Sequence, residues 1–155
     1  MRRKRLTRQN IVTTITEICQ KYRIKLVLND PQVGKDNGYA FGSDEIHLGG
    51  EYSSNYILLA IFLHEFGHSV LARRHSKKYR RLSIFREESL AWVLAMEFQQ
   101  KYFGKSFTKS QGNFMLDCLR TYSKQHYHFT KGYDGKYQEA KQIVLDFTGN
   151  EDSVS

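Results

Sequence analysis

The chain has 155 residues, of which 40% are hydrophobic and 14% aromatic, with a single proline; this composition excludes wholesale disorder and suits one domain around one core. Its 24 basic and 16 acidic residues give a formal charge of +8, concentrated in Arg2 to Arg8 and Arg73 to Arg81, runs that either face solvent or meet nucleic acid or an acidic protein. Cys19 and Cys118 lie far apart with no Cys-x-x-Cys pair, so neither a disulfide framework nor a cysteine zinc site is indicated.

In chain order, Thr7 caps a first helix whose Ile11, Ile15, Ile18 and Tyr22 recur at helical spacing. Ile24, Leu26 and Leu28 alternate with Lys25 and Val27, a strand pattern that stops at the turn formers Asn29, Asp30 and Pro31. Tyr39 to Phe41 and Glu45 to Leu48 read as two more short strands joined through Gly42, Ser43 and Asp44, and the three together predict a small antiparallel sheet. Ser53, Ser54 or Asn55 caps a second helix. Its body from Ile57 to Leu63 is apolar on every side, the mark of a buried helix, and it runs to about Ala72.

A basic, exposed linker from His75 to Arg81 leads to a third helix that starts at Ser83 and stops at Gly104. Thr108 and Gln111 match a capping box for a fourth helix, with Phe114, Met115, Cys118, Leu119 and Tyr122 inward. A turn at Asp134 and Gly135 precedes a last helix with Tyr137, Ala140, Val144 and Phe147 inward. Residues 1–148 thus read as one domain and 149–155 as a flexible tail. The basic start never becomes an unbroken apolar run, and no stretch of about 18 apolar residues follows; the expectation is a cytoplasmic protein without membrane contact.

His64-Glu65-Phe66-Gly67-His68 carries the chemistry. Four residues are a little over one helical turn, so both imidazoles project from one face and can grip one metal ion. Two histidines and a carboxylate on a buried helix would be costly without a shared partner, and zinc is the expected one. One class of such sites adds a third His six positions after the second, with a Gly three after it. Arg74 and Leu71 stand there instead, and His75 reads as a helix-end residue. The other common solution takes a Glu from the following helix, and Glu88 lies twenty positions after His68 at the start of the third helix. Glu87 is the alternative; Glu88 is preferred because Ala91, three residues on, allows close helix packing.

Two neutral imidazoles and one carboxylate leave the fourth position of a tetrahedral zinc to water, as a catalytic site requires. Glu65 follows His64 directly, so its side chain is turned by about 100° around the helix and can act as general base without ligating the metal.

With Glu88-Ser89-Leu90-Ala91 following the His64 to His68 motif, the chain resembles the ImmA/IrrE family of metallopeptidases over roughly Tyr39 to Phe98. The resemblance implies an α+β fold in which a small antiparallel sheet packs on a helical core with a zincin-type active-site helix. It also implies a zinc metalloendopeptidase that cleaves an intracellular protein such as a transcriptional repressor, with an edge strand ahead of the zinc helix binding extended peptide. Glu45 to Leu48 is the candidate strand. The family pattern has Asp or Asn four positions after the ligand Glu; Trp92 stands there, leaving the orientation of a ligand His to another group or passing the ligand role to Glu87.

For the oxyanion, Tyr79 lies nine residues before Glu88, where thermolysin-like peptidases carry an assisting Tyr, and His126, Tyr127 and His128 form a second candidate cluster. The bland alternatives are an exposed linker aromatic and a surface pair. A different class of function also fits: a basic nucleic-acid-associated protein with a non-catalytic zinc site, contacting its partner through the two basic runs.

Overall fold

Thr7 does cap the first helix. Its hydroxyl accepts from the Asn10 backbone N–H at 3.1 Å, and α1 runs Arg8–Lys21 with Ile11, Ile15, Ile18 and Cys19 buried. The computed structural model describes residues 6–74 and 84–120, without the side chains of 84–86 and 120. Tyr79, His126 and His128, the last expected helix and most of both basic runs lie outside the described residues.

Tyr22 closes α1, and Arg23 turns the chain at φ 55° into β1, Lys25–Val27. β2 is Gly38–Phe41 and β3 is Glu45–Leu48, joined by a hairpin in which Gly42 takes φ 62°. The sheet order is β1-β3-β2, with β3 antiparallel to β2 but parallel to β1. The expected all-antiparallel sheet is therefore corrected to a mixed one. After β1 the chain crosses to the far side of the sheet before laying down β2, and β3 then fills the gap between them. Alternating residues reveal strand faces but not this order. Ile46 and Leu48 point inward, while Glu45 and His47 point out.

α2, Asn55–Arg74, is the axis of the fold. Ser54 accepts the Ile57 N–H at 3.2 Å at its start, and every residue from Ile57 to Leu71 is buried except half-buried Glu65. By length and composition this helix could cross a membrane, against the expectation that the chain holds no stretch apolar enough to do so. However, 78% of its most apolar window is buried inside the protein, and His64, Glu65 and His68 sit in its middle, which fits a core helix.

α3, Ile84–Phe103, ends at Gly104 with φ 63°. α4, Lys109–Arg120, begins with the expected capping box: Thr108 Oγ1 accepts the Gln111 N–H at 3.1 Å, and Gln111 Oε1 accepts the Thr108 N–H at 2.9 Å. The Gln111 amide also exchanges hydrogen bonds with buried Gln99 at 2.7 and 3.0 Å and donates to the Tyr56 carbonyl at 2.8 Å, tying α4 to α3 and to the start of α2.

The position of α3 on α2 decides the site. A Cβ built on Gly67 would lie 2.7 Å from the Ala91 carbonyl oxygen and 3.2 Å from its Cα, so the two backbones nearly touch here. Only glycine opposite a small residue permits that approach. Glu88 is one turn before Ala91 on the same face of α3, so the contact presses its carboxylate towards the imidazoles of α2.

Candidate metal centre

His64 and His68 stand one turn apart, both 7% exposed, with ring centroids 4.6 Å apart and planes at 82°. Their Nε2 atoms are 3.1 Å apart. Glu88 Oε2 lies 2.8 Å from His64 Nε2 and Glu88 Oε1 lies 3.2 Å from His68 Nε2. Ligand atoms around a tetrahedral zinc, at bond lengths of about 2.0–2.1 Å, are separated by about 3.3 Å, so these three groups could close on one cation with little movement. Among the described residues no other cluster of His, Cys, Asp or Glu brings three such donors together. The same donors would accept other divalent ions as well.

Glu87 and Glu88, the two ligand candidates that the sequence leaves open, stand differently towards the imidazoles. Successive residues on a helix point about 100° apart. Glu88 therefore faces both Nε2 atoms, while Glu87 Oε1 lies 3.0 Å from His68 Nδ1. This is the carboxylate–histidine contact that fixes a ligand ring and its tautomer. Position 92 does not supply that contact. The Trp92 indole instead stacks on His64 at 4.1 Å between centroids and 24° between planes. The contact of Glu87 with His68 was legible only in that Glu87 neighbours the preferred ligand, and the stacking of Trp92 on His64 carried no sequence signal beyond Trp92 standing where the resembled family has Asp or Asn.

The electrostatics follow from burial and from these pairs. Burial, which the Glu88 hydrogen bond only partly opposes, holds His64 well below the usual imidazole range. Burial acts the same way on His68 but is outweighed by the Glu87 and Glu88 hydrogen bonds, which raise it. Burial would likewise raise Glu88, yet the two imidazoles hold it well below the usual carboxylate range. One imidazole thus stays neutral and the other pairs with the acids.

Glu65 sits on the neighbouring face of α2. Burial pushes its carboxyl up to about 7, with the charge of His68 opposing and the Ala40 backbone N–H donating to it. Ala40 belongs to β2, and β2 rather than β3 is the edge strand on this side; the expected edge strand Glu45–Leu48 is the central one. β3 lies between two partners and has no free edge to offer a peptide. Gly38, Tyr39 and Ala40 of β2 line one wall of a cleft of about 510 Å³ that also contains His64, Glu65 and Glu88. Trp92, Phe114 and Cys118 also line this cleft.

Comparison of the chain with protein-family models, curated proteins and solved structures found no match.

Proposed function

We propose that this chain is a cytoplasmic zinc-dependent peptidase of the ImmA/IrrE-like, gluzincin type, with His64, His68 and Glu88 as metal ligands and Glu65 as general base. The observation that carries this reading is the convergence of three ligand atoms, all within 4.8 Å of one another, beside a carboxyl group that is not needed to hold the ion. Zinc bound there would supply Lewis acidity, polarising a carbonyl and making water a nucleophile near neutral pH.

The protein's own groups do the rest. Glu65 takes the proton of the attacking water and passes it to the leaving amine, a task for which a carboxyl raised towards 7 is suited. Glu87 holds the His68 ring through Nδ1, leaving Nε2 bare for the metal. The free side of β2 lies along the cleft and can pair with an extended peptide, which directs the scissile carbonyl towards His64 and Glu88. The wall made by Trp92 and Phe114 suits an apolar side chain next to the cleaved bond.

The test uses zinc-loaded full-length protein and a mixed peptide library read by mass spectrometry. Glu65→Gln should keep stoichiometric zinc and lose cleavage by about a hundredfold to ten-thousandfold. A wild type that takes up no stoichiometric zinc, or a Glu65→Gln variant that cleaves as fast as wild type, overturns the proposal.

A further inference from the structure

The two imidazoles are held in different ways. His68 has an acceptor on Nδ1, the Glu87 carboxylate at 3.0 Å. His64 Nδ1 is buried with no hydrogen-bond partner among the described residues, and so is Trp92 Nε1. With a cation in place of the proton that Nε2 donates to Glu88, the neutral His64 ring would carry its proton on Nδ1, and the N–H that ordinarily orients a ligand histidine would have no acceptor among the described residues. What touches the ring is the indole face of Trp92, 4.1 Å away and within 24° of parallel, and the edge of His68. The indole is itself 2% exposed and gripped at its edges by Phe107 and Phe114, at 6.4 and 6.1 Å between centroids and near-perpendicular planes.

We infer that Trp92 is a positioning residue for His64: it fixes the ring plane by stacking, in place of a hydrogen bond at Nδ1, and carries the packing of Phe107 and of Phe114 on α4 through to the metal-binding nitrogen. The inference rests on the metal-centre reading above. A stack sets the plane of the ring, and Glu88 selects which nitrogen faces inward. It does not make the imidazole more basic, as a carboxylate partner does. His64 and His68 are therefore unequal ligands, and the weaker donor depends on the shape of an aromatic slab.

The experiment compares zinc affinity by chelator competition, and the visible spectrum of the cobalt-loaded protein, in wild type, Trp92→Phe, Trp92→Leu and Glu87→Gln. Leu keeps an apolar side chain but no flat face, so Trp92→Leu should bind zinc about ten- to a hundredfold more weakly, like Glu87→Gln, whereas Trp92→Phe should stay within about threefold of wild type. The cobalt spectrum of Trp92→Leu should lose tetrahedral intensity and that of Trp92→Phe should keep it. Should Trp92→Leu fail to fold, the zinc-loaded wild type still decides. Its imidazole N–H protons should include one strongly downfield resonance, lost in Glu87→Gln, and a second, from His64, that is not downfield. Two downfield resonances, or a Trp92→Leu variant with unchanged affinity and spectrum, overturn the inference. A wild type that binds no zinc removes the metal-centre reading instead.

Discussion

Two of the described histidines carry a carboxylate on both ring nitrogens, yet only one of them belongs to a candidate metal centre. On the outward face of β3, His47 Nδ1 lies 2.6 Å from Asp30 Oδ2 and Nε2 lies 2.9 Å from Glu45 Oε1. In the interior, His68 Nδ1 lies 3.0 Å from Glu87 and Nε2 lies 3.2 Å from Glu88. The residue types match; the difference is a second imidazole. His64 brings its Nε2 to 3.1 Å from that of His68 and shares Glu88 with it, so three groups aim at one point. Around His47 the acids meet different ring nitrogens, the Phe41 ring packs against the imidazole and Lys25 pairs with Glu45, but among the described residues no further metal-ligating donor joins them. The first arrangement is a closed ion-pair network on a surface; the second concentrates donors where a cation could satisfy all of them. Composition alone does not distinguish the two, whereas convergence does.

The sharpest way to break the comparison is to remove one ring from each. His68→Ala should weaken zinc binding by on the order of a thousandfold, since one of three protein ligands is lost. His47→Ala should leave zinc affinity within about twofold. Chelator competition on both variants measures this directly. Equal losses in the two would mean that the interior cluster is no more a metal site than the surface one.

A smaller effect should come from Gly67, which makes the convergence possible. The Cβ of Gly67→Ala would meet backbone atoms of Ala91, not a flexible side-chain end, so α2 and α3 must separate. Overpacking of this kind costs about 1–3 kcal/mol. Replacing a mid-helix glycine by alanine would otherwise stabilise by about 1 kcal/mol. The rigid contact puts the cost towards the upper end, so the variant should be less stable in urea unfolding of the metal-free protein. Separation also withdraws Glu88 from the imidazoles, so zinc affinity should fall while the His47 cluster is untouched. A more stable variant with full affinity would show that the helices do not need this contact.

Much of this geometry was legible before any coordinates, because it is local. The His64 to His68 spacing, the all-round apolar body of α2, the Thr7 cap and the Thr108–Gln111 box each depend on residues within one or two turns. Ala91 pointed to Glu88 because close packing needs a small residue, and Gly67 proved to be its partner across the helix pair. What was not legible depends on pairings across the chain. The β1-β3-β2 order moved the edge from β3 to β2, and no pattern within a strand encodes its neighbour. Which imidazole nitrogens Glu87 and Glu88 face depends on the rotation of α3 about its own axis. Trp92 stands where the resembled family has Asp or Asn, and its stacking on His64 follows from no local pattern. Asp30 reaches His47 across seventeen residues, out of range of any local rule.

The smallest effect, and the one that tests the surface half of the comparison, is on stability against pH. Hydrogen bonds that the ring donates to Asp30 and then Glu45 raise His47 above its ordinary 6.5, and the same bonds lower Asp30 below 3.8 and Glu45 below 4.5. A raised histidine contributes fully below its unfolded value and loses that contribution as pH climbs through the folded one. Lowered carboxyls contribute fully above their unfolded values and lose that contribution as pH falls through the folded ones. The network should therefore stabilise most between about pH 4.5 and 6.5, fading above neutrality as the ring loses its proton and below about 4 as the acids gain theirs. Subtracting the urea midpoint of His47→Gln from that of wild type, at each pH from 3.5 to about 9 and without metal, cancels every other titration that the two proteins share. The difference should rise, level off and fall across that range. The network is only half-buried at the protein's edge, so solvent still screens its charges and keeps the amplitude small, and added salt should shrink it further. A difference that stays flat with pH would mean that the ring is not charged in the native state, and that the surface cluster is held by neutral hydrogen bonds instead of ion pairs.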